Sequence, residues 1–293
     1  MGVSVWVRRF AWATLLANIG IVLTGGAVRL TASGLGCPTW PRCTDESFTP
    51  HGALDFHSAI EFGNRTLTFA LSAIAVATFV TAYRSGRADL RRLALLLALS
   101  IPAQALLGGI TVLTDLNPWV VAFHLLFSMG IISLAVLYLH RTRHPAAAAR
   151  PSASTPHVVL AWSTYAAAWV VLALGTVVTG SGPHAGDLDA PRNGLDPLQL
   201  SQLHADFVFL LVGLSVALVI VHRSRATVTL LVVELAQGLI GFVQYFTDLP
   251  VVLVGFHLLG AALVAAAVTW VVIEVREGTP VTAPSDGGPA FVP

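Results

Sequence analysis

The chain has 293 residues, of which 55% are hydrophobic and only 11% charged, with a mean hydropathy of +0.77. Soluble domains carry roughly 25% charged residues, so too few charges are present to cover a water-facing surface. A formal net charge of +1 gives no basis for a nucleic-acid partner; the expected surroundings are the lipid bilayer.

The N-terminus carries Arg8 and Arg9 and then an apolar run from Phe10. A cleavable signal peptide is the rival reading. The run reaches about Val28 without a small-residue cleavage pattern, and about 20 residues cross the bilayer core, so it reads as a retained span. Seven further apolar runs follow, at 58–82, 92–113, 118–139, 158–180, 201–221, 226–246 and 251–274. Unpaired backbone is not tolerated in lipid, so all eight are predicted helices. The fold class is all-α integral membrane.

The connections alternate in charge. Arg8 and Arg9, Arg84, Arg87, Arg91 and Arg92, Arg141, Arg143 and Arg150, Arg223 and Arg225, and Arg276 fall on one side. Arg29, Arg42 and Arg192 fall on the other, with Arg65 just inside the second span. The positive-inside rule puts both termini in the cytoplasm. The tail 276–293 is rich in Pro, Gly, Ser and Thr and is expected to be disordered. The outer side holds two long loops, 30–57 and 181–200, and two tight turns, Thr114–Pro118 and Thr247–Pro250. Cys37 and Cys43, the only cysteines, lie in the first outer loop. Disulfides persist outside the cytoplasm, so a Cys37–Cys43 bridge is expected, with two free thiols as the alternative.

A shift of 133 residues lays Ala103–Phe127 on Ala236–Gly260 without a gap, with twelve of twenty-five positions identical. The identities include Gln104/Gln237, Gly108/Gly241, the Thr-Asp-Leu turn, and the Phe-His-Leu-Leu blocks around His124 and His257. Asn64–Arg84 resembles His204–Arg223 more loosely, and Thr24-Gly25 resembles Thr179-Gly180. The chain therefore reads as two tandem four-helix bundles from an internal duplication: 1–145, 146–275, and the tail. Cofactor space lies between facing helices of such bundles.

Ionisable groups inside a membrane are costly and mark functional sites. Glu61, His124, His204 and His257 lie on outward-starting helices, within roughly 10 Å of the outer surface by helix rise. His204 and His257 suit two axial imidazoles on one heme iron; core hydrogen bonding is the bland alternative. Zinc needs three or four ligands, and no third is near. In the first half Asn64 replaces the counterpart of His204, leaving His124 as the evident iron ligand. Glu61 shares a face with Asn64, with His57 a turn outward. It reads as a carboxylate beside an open coordination position, or as a simple i,i+4 partner of Arg65. Arg29 and Arg65 are candidates for heme propionates, against headgroup anchoring. Gln104 and Gln237 read as interhelical hydrogen-bond donors.

The segment Gly25–Leu35 continuing into Cys37-Pro38-Thr39-Trp40-Pro41-Arg42-Cys43, together with Ile60–Arg65 and the two Phe-His-Leu-Leu blocks, resembles the heme A synthase family of bacteria, over about residues 8–275. The resemblance implies an oxidoreductase that converts a methyl group of heme O to a formyl group, giving heme A for terminal oxidases. It implies heme b between His204 and His257, substrate heme at His124, catalysis at Glu61, and a cysteine pair that receives or positions heme. Asn64 departs from the many members that have His there. Binding of the substrate by His124 alone, with an open face near Glu61, is the expectation; water or His57 as the sixth ligand is the alternative.

Two further functions remain: a membrane b-type cytochrome that only transfers electrons, and a non-catalytic heme carrier or oxidase assembly factor. A heme O synthase is the expected partner, the bacterial cell membrane the expected location, and a homo-oligomer is left open.

Overall fold

The structure is a computed structural model, which describes residues 3–50, 55–144 and 154–277. Arg150, the 145/146 boundary and the tail beyond residue 277 lie outside the described residues. Eight helices follow one another: α1 (Val5–Leu30), α2 (Phe56–Arg84), α3 (Ala88–Leu113), α4 (Pro118–Arg143), α5 (Thr155–Ser181), α6 (Pro197–Val221), α7 (Arg225–Phe246) and α8 (Val251–Glu277). Each is long and apolar enough to cross a membrane, and no strand occurs among the described residues. All eight predicted spans are present. Several helices extend by up to five residues past the apolar runs, because Arg-bearing turns such as Val5–Arg9 and Ala88–Arg92 continue the backbone ladder while long cationic side chains reach toward water.

Polar residues in the connections set the helix starts. Asp55 accepts the Ser58 N–H at 2.7 Å, and Asn117 accepts the Trp119 N–H at 3.0 Å ahead of Pro118. Asp196 accepts the N–H groups of Leu198 and Gln199 ahead of Pro197. Ser224 and Thr227 form a reciprocal capping box on α7. Each cap satisfies N–H groups that a helix start otherwise leaves without partners.

In the first half α1 packs on α2, α2 on α3, α3 on α4 and α4 back on α1. The second half closes the same way through α5, α6, α7 and α8. Among the described residues no comparable packing joins α2 to α4 or α6 to α8, so each of these pairs stands diagonally across its bundle. The halves meet where α1 and α4 pack against α8, and α4 against α5. A single apolar core runs through that junction, from Val7, Leu15 and Ile132 to Ala262, Ala265 and Ile273. Large apolar side chains such as Phe69, Leu96 and Leu239 face outward, as lipid contact requires.

The two tight turns share one backbone geometry. Asp115 and Leu116 have φ of 50° and 57°, and Asp248 and Leu249 have 58° and 56°. The Leu116 N–H donates to the Thr111 carbonyl and the Leu249 N–H to the Gln244 carbonyl, both at 2.8 Å. Left-handed backbone is costly for leucine, yet both turns use it at equivalent positions.

Candidate functional site

In the first half, Glu61 comes from the second turn of α2 and is 5% exposed. Its Oε1 pairs with Arg65 one turn on, the i,i+4 partner anticipated from spacing. Its Oε2 accepts the Cys37 N–H, a partner that sequence reading missed because it lies 24 residues away in a loop. Arg65 donates further to the carbonyls of Cys37 at 2.8 Å, Thr39 at 3.0 Å and Arg42 at 3.1 Å. Cys37 and Cys43 form a disulfide, with their Cα atoms 4.4 Å apart. The Glu61–Arg65 pair thus clamps the disulfide loop onto the helix start. Trp40 of that loop packs its ring on α3 at Gly109, where an added Cβ would run into Trp40 Cδ2, Cε2 and Cγ.

His124 projects from α4 next to Gly108 of α3: a Cβ there would meet its Cε1 at 3.4 Å. The Gln104 amide donates to the His124 carbonyl at 3.3 Å and to the Ser128 hydroxyl. Across the bundle on α2, the Asn64 Oδ1 accepts the Thr24 hydroxyl at 2.7 Å. His57 is exposed and its Nδ1 lies 3.0 Å from the Ser33 hydroxyl.

The second half repeats this frame with a different filling. His257 sits against Gly241, whose added Cβ would meet Cε1 at 3.2 Å, and Gln237 donates to the His257 carbonyl at 2.6 Å. His204 sits against Gly175 of α5 in the same way, also at 3.2 Å. In the register that lays Thr24 on Thr179, Gly175 corresponds to Gly20, where an added Cβ meets nothing within 4 Å. Where the second half has an imidazole against a glycine, the first half has open space and a short amide turned to Thr24.

Arg29 of α1 donates from Nε to the His184 carbonyl at 2.6 Å and from Nη2 to the Thr179 carbonyl at 3.1 Å. It therefore ties the first half to the second outer loop, which its position at a helix end did not reveal. His184 continues the tie, its Nε2 lying 2.9 Å from the Leu249 carbonyl.

Among the described residues, no three His, Cys, Asp or Glu side chains converge to hold a metal ion, so a zinc-type cage is not built here. Two imidazoles with unengaged ring nitrogens are a donor set whose chemistry suits a heme iron. His204 and His257 stand on diagonal helices, each set in a glycine notch, and each has a buried Nδ1 without a hydrogen-bond partner among the described residues. His124 has the same orphaned nitrogen but no imidazole opposite. One polar group escaped the sequence reading although its signal was plain. Glu234 is an acid within an apolar run, 4% exposed, with Ser215 donating to its Oε1 at 2.9 Å.

The sequence matches the family described as cytochrome oxidase assembly protein (COX15-CtaA) over residues 8–236. The match includes Glu61, His124 and His204; His257 lies beyond it. A heme A synthase of Geobacillus thermodenitrificans is 33% identical over 149 residues, covering 49% of this chain and 46% of that protein. A heme A synthase of Shewanella oneidensis is 29% identical over 153 residues, covering 47% and 45%. A protoheme IX farnesyltransferase of Halobacterium salinarum is 28% identical over 142 residues, covering 48% and 30%. The chain spans about half the length of the curated heme A synthases it matches. With the family match running from α1 into α7 and the fold that of an eight-helix membrane protein, the chain belongs to the cytochrome oxidase assembly protein family that includes heme A synthases.

Proposed function

We propose that this chain is a heme A synthase, which oxidises one methyl group of heme O to a formyl group. The observation that carries the reading is the contrast between the halves. His204 and His257 stand on the diagonal helices of one bundle, whereas the diagonal helices of the other carry His124 and an Asn64 held by Thr24 beside the space at Gly20. A bundle closed by two imidazoles suits a resident electron carrier. A bundle with one imidazole and a carboxylate suits a substrate that must be reached.

In this reading His204 and His257 hold a heme b, which supplies one-electron transfer when bound. His124 holds the iron of the substrate. Glu61 stands beside it as proton acceptor, fixed by Arg65 and by the Cys37 N–H, so its position depends on the disulfide loop. Arg29 keeps Nη1 outside its two carbonyl bonds and is the better candidate for a propionate. Arg65 has all three nitrogens bonded, so a propionate there would displace a loop carbonyl. The loop's Trp40 roofs the same end of the bundle.

The domains are 1–145 for the substrate, 146–275 for heme b and the tail after them. The Arg-rich ends lie in the cytoplasm of a bacterial cell. The partner that supplies substrate is a heme O synthase, and a relative named protoheme IX farnesyltransferase accords with it.

The test is heme extraction, chromatography and mass analysis of cells expressing this chain together with a heme O synthase. Heme A or its hydroxylated intermediate, appearing only with the intact chain and lost in Glu61→Gln, is the expected result. Heme b and heme O alone, with a bis-histidine spectrum on the purified protein, would make it a b-type cytochrome instead.

A further inference from the structure

Glu234 is the one acidic side chain of the second half that lies deep in its bundle. It sits nine residues into α7, about 13 Å by helix rise from the Arg-rich end, and seven residues, about 10 Å, before Gly241, the notch of His257. Its Oε1 accepts the Ser215 hydroxyl of α6 at 2.9 Å. Its Oε2 is buried with no partner among the described residues. An unpartnered carboxylate oxygen in an apolar interior is costly, so the position is hard to explain as packing.

The first half shows what packing alone would use. In the repeat register, Glu234 falls on Ile101 and Ser215 on Ala75, and both of those are buried apolar residues. The polar pair is therefore confined to the half with two facing imidazoles. The helices packed against α7 are α6 and α8. On α6 the titratable groups are His204 and Asp206, with His222 at its end; on α8 they are His257, Glu274, Arg276 and Glu277; α7 itself has Arg225 and Tyr245. Among the described residues, the one hydrogen-bond partner of the Glu234 carboxyl is the Ser215 hydroxyl.

We propose that Glu234 is a proton-binding site coupled to the redox state of the heme held by His204 and His257. The proposal rests on the heme b reading above. Ferric iron would carry one positive charge more than ferrous, and an apolar interior screens such a change less than water does. With a heme bound, one electron from a one-electron donor would be accompanied by one proton from water, taken up at a carboxylate oxygen of Glu234. Oxidation returns both. The Ser215 hydroxyl donates to the carboxylate and rotates to accept from the protonated form, so the pair serves both states.

The test is a dithionite and ferricyanide redox titration of the purified holoprotein between pH 6 and 8.5, following the bis-histidine absorbance. The wild-type midpoint potential is expected to fall with rising pH, approaching about 59 mV per tenfold change in proton activity for a one-electron couple. Glu234→Gln and Glu234→Ile, the latter copying the first half, are expected to be flat. Glu234→Asp, which keeps a carboxyl, should retain the slope. A flat wild type, or a slope that survives in Glu234→Gln, overturns the proposal while leaving heme b in place. Absence of any bis-histidine heme from the wild type, or an unchanged spectrum in His257→Ala, overturns the heme b reading and this proposal with it.

Discussion

At the scale of single residues, the glycines beside the imidazoles separate the two halves most cleanly. A Cβ at Gly175 or Gly241 would stand 3.2 Å from a histidine Cε1, close enough to push the ring by a few tenths of an ångström. Gly175→Ala and Gly241→Ala should each lower the heme retained per protein severalfold, measured by pyridine hemochrome. Gly20→Ala meets nothing and should leave the heme content unchanged. If Gly20→Ala cost as much as the other two, the open space would not be what distinguishes the halves. The histidines themselves were legible in the sequence, because an imidazole in an apolar run is conspicuous and the repeat pairs it with a counterpart. Which glycine each ring rests on was not legible. That depends on how α5 leans on α6 and α7 on α8, which no local pattern encodes.

At the scale of elements, the disulfide loop is the part that folding adds to the sequence signal. Its cysteine spacing pointed to a bridge, and the bridge is there. The grip of Arg65 on three loop carbonyls, and Trp40 against Gly109, were invisible because irregular loops have no periodicity to read. Gly109→Ala would drive a Cβ into the Trp40 ring. Overpacking of this kind costs roughly 1–3 kcal/mol, so the melting temperature in detergent should drop. Trp40→Ala in the same chain should cancel most of that drop; simple additivity of the two changes would argue against the contact.

The start of α2 makes a pH prediction. The Ser58 N–H and hydroxyl both donate to Asp55, and these bonds hold its carboxyl below the usual carboxylate range. A carboxyl with a depressed folded value contributes stability above its unfolded value, near 3.9, and loses it as pH falls through the folded one. The difference in melting temperature between wild type and Asp55→Ala should stay constant from pH 7 to about 5 and shrink below that. A difference that faded between pH 7 and 5 would assign the effect to another group.

At the scale of the whole molecule, composition announced a membrane protein and the apolar runs eight spans, and eight such helices are present among the described residues. Apolar length is a property of contiguous sequence, so it survives any uncertainty about packing. The order of helices around each bundle and the junction of α1 and α4 with α8 rest on side-chain fit between distant segments, of which the repeat gives only the symmetry. For orientation, the arginine asymmetry predicts cytoplasmic termini. Alkaline phosphatase fused after Pro293 should be inactive, and fused within loop 181–200 active; the reverse pattern would invert the assignment of sides.

The paired glutamines have a mechanical consequence. Gln104 and Gln237 each reach from one helix to the carbonyl of a histidine on the next. Sliding α4 past α3, or α8 past α7, by a single residue would move that carbonyl by about 1.5 Å along the axis and strand an amide in hydrocarbon. Piston motion is therefore locked out of these two hairpins, and each travels as a stiff plate.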